Sequence, residues 1–226
     1  MNIAVLLSGG KGLRLGTDVP KQYITVAGKP IISYAIDTIV KSGKFGFIQI
    51  VCEREYERLI KNCMPKGIDY GFSDPGENRQ LSILNALKDV EDLSDSKSLV
   101  FIHDAARPCL SSKMIDNCFD AIAGHDGVLP VLPMKDTVYE CDENGKIVSL
   151  LKRERVFAGQ APELFLFKKY LETNESLGKK KLLEIHGSTE PAVMCGLDVV
   201  TIDGDEDNFK ITTPIDLEKY KNLFRK

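Results

Sequence analysis

Apolar residues fall along this chain in short runs separated by stretches at helical spacing. Ile3 to Leu7 is an unbroken apolar run. Phe47–Val51, Leu99–Ile102 and Val128–Leu132 repeat the theme, which predicts buried strands. Between them, Ile32, Ala35, Ile36, Ile39 and Val40 share one face of a helix. A charged helix is expected from about Glu53 to Asn62, and another where Leu81, Leu84 and Leu87 recur. A strand at Asp198–Ile202 and a helix carrying Ile215, Leu217, Tyr220 and Leu223 complete the pattern. Alternating strands and helices build βαβ units, so the expected fold is α/β: a three-layer, mostly parallel sheet covered on both faces. Ligands of such sheets sit beyond the carboxyl ends of the strands.

One segment breaks the rhythm. From Thr137 to Leu151 apolar and polar residues alternate around Asn144-Gly145, a hairpin signal. A hairpin inserted late in an α/β sheet serves as decoration or as an arm that grips something, a second subunit included. With no repeats, low-complexity tracts or linker, residues 1–226 are expected to form a single domain with an arm at about 137–155.

Composition narrows the possibilities. The chain has 226 residues, 43% hydrophobic and 28% charged, enough to bury a sizeable core. A formal net charge of −3 argues against a nucleic-acid partner, although one local basic pocket is compatible with it. No run approaches the roughly 18 apolar residues a membrane helix needs, so no membrane association is expected. The Met1–Leu7 stretch has no basic region before its apolar run and reads as a first strand, not a signal peptide. Six dispersed cysteines, with no CxxC pair or zinc spacing, suit a reducing cytoplasm.

The first strand runs into Ser8-Gly9-Gly10-Lys11-Gly12-Leu13-Arg14, followed by Pro20-Lys21-Gln22-Tyr23. Glycines let backbone N–H groups face a phosphate, and Lys11, Arg14 and Lys21 place three cations where pyrophosphate would leave. A dinucleotide fold is disfavoured, because Leu15 stands where its third glycine belongs, and the Walker pattern is absent. Three further segments follow in order: His103-Asp104-Ala105-Ala106-Arg107-Pro108, Lys135-Asp136-Thr137, and Asp207-Asn208-Phe209-Lys210-Ile211-Thr212. Together these motifs resemble the 2-C-methyl-D-erythritol 4-phosphate cytidylyltransferase family and its relatives, the ribitol-5-phosphate cytidylyltransferases, nearly from end to end.

The resemblance implies a Rossmann-like nucleotidyltransferase fold that moves the cytidylyl group of CTP to a polyol phosphate, with Mg²⁺ as cofactor. In that reading Arg14, Lys21 and Lys210 are catalytic cations, and Lys210 also meets the acceptor phosphate. Ser8, Gly9, Gly10, Lys11 and Gly12 form the phosphate loop. Gly76, Glu77 and Ser82, within Pro75-Gly76-Glu77-Asn78-Arg79-Gln80-Leu81-Ser82, would read the cytosine edge, with Asp104 and Ala105 also touching the nucleotide. Asp104 and Asn208 would hold the metal, and Arg107 would orient Asp104 or meet phosphate. Thr137 and Arg153 match arm positions that bind acceptor across a homodimer.

Two segments depart from the family's pattern. Gln160-Ala161-Pro162-Glu163 replaces its Thr-Pro-Gln, and His186-Gly187-Ser188-Thr189-Glu190-Pro191 replaces its Thr-Asp-Glu-Ala, with Pro191 expected to disturb a helix start. Both lie on the acceptor side. CTP use therefore reads more firmly than methylerythritol phosphate use, and ribitol 5-phosphate, or another wall or capsule polyol phosphate, remains an alternative acceptor. A non-catalytic CTP-binding module is the remaining alternative from another class.

Overall fold

The structure is a computed structural model that describes residues 1–10, 16 and 19–225. In chain order its elements are β1 (Ile3–Leu7), the short pair β2 (Thr25–Val26) and β3 (Lys29–Pro30), α1 (Ile31–Lys41), β4 (Phe47–Val51) and α2 (Glu57–Lys61). They continue with β5 (Asp69–Ser73), α3 (Arg79–Asp89), β6 (Leu99–Asp104), α4 (Ser112–Ala121) and β7 (Gly127–Pro133). The hairpin strands β8 (Tyr139–Cys141) and β9 (Ile147–Leu150) follow, then β10 (Phe157–Gly159), β11 (Glu163–Leu166) and α5 (Phe167–Leu183). Finally come α6 (Glu190–Met194), β12 (Val199–Asp203) and α7 (Pro214–Asn222).

Eight strands make one mixed, mostly parallel sheet in the order β10-β7-β11-β6-β1-β4-β5, with β12 on β7. The parallel centre is β6-β1-β4-β5; β11 runs antiparallel between β6 and β7. Register explains the two-sided burial. In β1, Ala4 and Leu6 face α1 and α4 residues such as Ile36, Ile39 and Ile115, while Ile3 and Val5 face Ile83, Leu87 and Tyr170 of α3 and α5. All of these side chains are almost completely buried. Neither strand face reaches water, which is why β1 reads as a continuous apolar run instead of an alternating one.

The expected hairpin forms. Gly145 closes a turn whose N–H donates to the Asp142 carbonyl at 3.0 Å, at φ 80°, a conformation glycine adopts without strain. The expected disruption by Pro191 does not occur. Pro191 sits in the first turn of α6, where a missing N–H costs nothing because that group has no intrahelical partner.

Candidate active site

The carboxyl ends of β1, β4 and β6 open into a cleft of about 700 Å³ whose floor includes Leu7, Val51 and Asp104. Two loops form its rims, and the last third of the chain closes it with Lys210 and Thr212.

The first rim is the glycine turn after β1. Gln22, buried in the segment Lys21–Tyr23, donates from its amide to the Ser8 carbonyl at 2.6 Å and to the Gly10 carbonyl at 2.9 Å. The Pro20-Lys21-Gln22 segment thus folds back on the glycines and carries Lys21 to the cleft wall. Ser8 has a different part from the one expected. Its hydroxyl donates to Tyr23 Oη at 2.7 Å, and its N–H donates to the Val51 carbonyl. With those groups committed inside the protein, Ser8 anchors the turn instead of meeting the nucleotide. Tyr23 in turn stacks on Tyr56 with ring centroids 4.1 Å apart.

The second rim is the turn from Pro75 to Asn78 ahead of α3. Asn78 caps that helix by accepting from the Leu81 N–H at 2.9 Å. A Cβ on Gly76 would stand 2.6 Å from the Leu81 backbone, and one on Gly9 would stand 2.7 Å from Pro75 Cβ. Both glycines are therefore required by packing, and they draw the rims together. Ser82 lines the cleft, but its hydroxyl accepts from Gly76 N–H at 2.9 Å and donates to the Asn78 carbonyl at 2.8 Å. The hydroxyl therefore braces the turn, and it keeps one acceptor site toward the cleft. Glu77 lines the cleft and pairs with Lys179.

At the centre is Asp104, in which burial would raise the carboxyl, yet the nearby charges of Arg79, Lys210 and Arg107 prevail and hold it far below the ordinary carboxylate range. Arg79 reaches Oδ1 with Nε at 3.3 Å and Nη2 at 3.2 Å. Lys210 Nζ lies 3.0 Å from Oδ2, and Arg107 Nε lies 3.6 Å from the same oxygen. Arg79 also points Nη2 toward Glu163 Oε2 at 3.8 Å. Glu163 is buried, which lifts its carboxyl above the usual range against the pull of Arg79 and of the Ser188 hydroxyl that donates to it. Arg79 and Glu163 are the residues that sequence reasoning missed. Only their place in the quoted segments, and for Glu163 the departure from the family's glutamine, signalled them.

Behind the cluster, Arg107 donates to the Asn208 carbonyl at 2.7 Å, so it orients Asp104 and does not line the cleft. Asn208 is fully buried, and its amide donates to the Ala161 carbonyl at 2.8 Å. The expectation that it ligates a metal is corrected: its Oδ1 is buried without a hydrogen-bond partner and away from the cleft lining, and its amide ties the Lys210 segment to the residues just ahead of β11. Gln160 strengthens the tie by donating to the Asp205 carbonyl and accepting from the Asp205 N–H. Ala105 is likewise corrected, since it is buried with its N–H taken by the Leu7 carbonyl, and Ala106 lines the wall in its place. Thr137 and Arg153 are exposed on the arm, away from this chain's cleft, and Arg153 donates to the Lys135 carbonyl. Lys11, Gly12 and Arg14 lie outside the described residues.

Among the described residues no group of three or more His, Cys, Asp or Glu side chains converges, and no helix is long and apolar enough to cross a membrane. The cleft pairs a glycine turn with a lysine, an ionised carboxylate and a second lysine. That set suits the binding and rearrangement of a polyphosphate.

Comparison with known proteins agrees with this geometry. The fold is shared with the 4-diphosphocytidyl-2C-methyl-D-erythritol synthase of Anaerococcus prevotii, at a TM-score of 0.83 and 23% identity over 99% of this chain and 96% of that one. The chain is 32% identical to the 2-C-methyl-D-erythritol 4-phosphate cytidylyltransferase of Clostridium acetobutylicum, over 100% of this chain and 98% of that protein. It is 28% identical to the ribitol-5-phosphate cytidylyltransferase of Streptococcus agalactiae serotype V, over 99% and 95% respectively. The model of the 2-C-methyl-D-erythritol 4-phosphate cytidylyltransferase family matches residues 2–226. The chain belongs to that family of CTP-dependent cytidylyltransferases.

Proposed function

We propose that this enzyme transfers the cytidylyl group of CTP to 2-C-methyl-D-erythritol 4-phosphate, releasing pyrophosphate. The observation that carries the reading is the convergence of Lys21, Asp104 and Lys210 on one cleft between the glycine turn and the Gly76 turn.

The acceptor phosphate is already an anion, so the chemistry needs positioning and charge neutralisation more than a strong base. Lys21 and Arg14 neutralise the triphosphate as its bridging bond breaks. Lys210 draws in the acceptor phosphate and steadies the α-phosphate as an acceptor oxygen attacks it in line. The two rims hold the nucleotide, with the Gly76 carbonyl and the Glu77 backbone facing the cytosine edge, the Gly76 N–H being held by Ser82. Asp104 fits a divalent cation, Mg²⁺ by choice, because its carboxylate is ionised and opens on the cleft. Mg²⁺ commonly takes one or two carboxylates plus substrate phosphates. Bound there, the cation would supply further neutralisation of the triphosphate charge.

The same reading includes a homodimer formed through the arm. Tyr139, Ile147, Val148 and Leu150 are 52–64% exposed there, an apolar surface that a second copy would cover. Thr137 and Arg153 would then serve the partner's acceptor pocket, in a single-domain enzyme of the cytoplasm. A second reading, ribitol 5-phosphate as acceptor, is favoured by Glu163 and Ser188, which stand in the two segments that depart from the family's pattern and hydrogen-bond each other. Pyrophosphate release with CTP and Mg²⁺, measured with each polyol phosphate separately, decides between them. Turnover with methylerythritol phosphate supports the first reading, and exclusive turnover with ribitol phosphate replaces it with the second.

A further inference from the structure

We propose that Glu163 is a positioning residue that sets how tightly the cleft holds its divalent cation, acting through Arg79 on Asp104. The inference rests on the reading above that Asp104 is the carboxylate that takes the cation.

The geometry is a chain of three charges. Arg79, the first residue of α3, is held between two carboxylates from different strands: Asp104 at the end of β6 and Glu163 at the start of β11. Its contacts with Asp104 both fall on Oδ1, at 3.3 Å and 3.2 Å, while Nη2 also faces Glu163 Oε2 at 3.8 Å. The opposite oxygen of Asp104 is shared by Lys210 at 3.0 Å and Arg107 at 3.6 Å. A cation approaching Asp104 therefore meets a carboxylate already attended by three positive groups.

Glu163 offsets that field. Among the described residues Arg79 is its only ion-pair partner, and its Oε2 is buried with no hydrogen-bond partner. A buried, half-satisfied carboxylate is costly to keep. Its one evident electrostatic return is to balance Arg79 from behind. Burial lifts the Glu163 carboxyl and the Arg79 guanidinium 3.8 Å away opposes that lift; in its ionised form three cations face two carboxylates, and without it three face one. Glu163 also holds the guanidinium back on its own side, so that Arg79 grips Asp104 by a single oxygen and leaves the other for exchange between Lys210 and the cation. Ser188, buried and donating to Oε1, fixes the carboxylate in that orientation.

The test is Mn²⁺ binding to the full-length enzyme with a CTP analogue whose α–β bridge is methylene, followed by electron paramagnetic resonance. Glu163→Gln keeps the shape and the Ser188 contact but removes the charge, and Glu163→Asp keeps the charge on a shorter stem. For Glu163→Gln, Mn²⁺ affinity is expected to fall about tenfold, as loss of one charge near a divalent ion requires. For Glu163→Asp it is expected to stay within about threefold of wild type, even where the melting temperature falls. Affinity within about twofold of wild type for Glu163→Gln overturns the proposal. Equal weakening by both variants also overturns it, since packing and not charge would then be responsible. Mn²⁺ binding by a wild-type enzyme that turns over no polyol phosphate would sink the proposed activity and leave this inference standing.

Discussion

Arg79 holds Asp104 by one oxygen only, with Nε and Nη2 at 3.3 Å and 3.2 Å from Oδ1. A guanidinium can share its donors between two carboxylates in this way, whereas an ammonium is a point charge on a flexible stem. Arg79→Lys is therefore expected to lower kcat about 10- to 100-fold with little change in melting temperature. Steady-state kinetics beside a thermal melt check this, and unchanged kcat would show that the fork is dispensable.

Gln22 carries two hydrogen bonds to loop carbonyls, one buried. Gln22→Ala takes this donor from the Gly10 carbonyl and leaves the Ser8 carbonyl with Tyr23 Oη alone, at a cost of about 1–3 kcal/mol. The turn that presents Lys21 should loosen, raising the KM for CTP about tenfold before the global fold suffers. A KM unchanged from wild type would contradict the clamp.

Gly76 has no room for a methyl group, since a Cβ would lie 2.6 Å from the Leu81 backbone. Gly76→Ala must push the turn away from α3 and break the Gly76–Ser82 hydrogen bond. CTP binding, read by calorimetry, is expected to weaken at least tenfold.

His103 is fully buried, and burial pushes its ring down to about 4 against the Arg107 carbonyl that contacts Nε2 at 3.1 Å. The unfolded chain takes up this proton near pH 6.5 and the folded chain only near 4, so the unfolded state binds more protons between those values. Stability should accordingly fall as pH drops from about 6.5 to 4, by roughly 2–4 kcal/mol from this residue. Urea unfolding across that window measures the slope, and His103→Gln should flatten it.

The arm supplies a test by mixing. Arg153→Ala is expected to weaken acceptor use while leaving CTP affinity near normal, and Lys210→Ala to abolish turnover. If acceptor pockets are shared across a dimer, then at acceptor concentrations where Arg153→Ala is nearly silent, mixing the two variants restores about a quarter of wild-type activity, because half the dimers carry one complete site. A mixture no more active than its parents would place Arg153 outside the partner's pocket.

The parts of the fold visible in the sequence were those with one-signed patterns. β1, β4, β6 and β7 are buried on both faces, so their runs are nearly unbroken. The turn of the arm announced itself through Asn144-Gly145. β5 was not visible, because Asp69–Ser73 has only Tyr70 and Phe72 as large apolar residues. β11 was not visible either, since it pairs antiparallel between strands far away in sequence. At the site, Asp104, Lys21 and Lys210 were legible because each sits in a motif beside a strand end or turn. Arg79 and Glu163 were not, since a charged side chain acquires its role from what the fold brings to it. Ser8, Ser82 and Asn208 looked like ligand contacts, and folding committed the two hydroxyl protons and the Asn208 amide N–H to bracing the loops.

The most direct measurement follows a label at the α-phosphate of CTP in the presence of Mg²⁺ and 2-C-methyl-D-erythritol 4-phosphate. The label is expected to move into a cytidine diphosphate-linked polyol in step with pyrophosphate release, and Lys210→Ala to stop both together. Label remaining in CTP, or appearing only as free CMP, with either polyol phosphate would contradict cytidylyl transfer at this cleft.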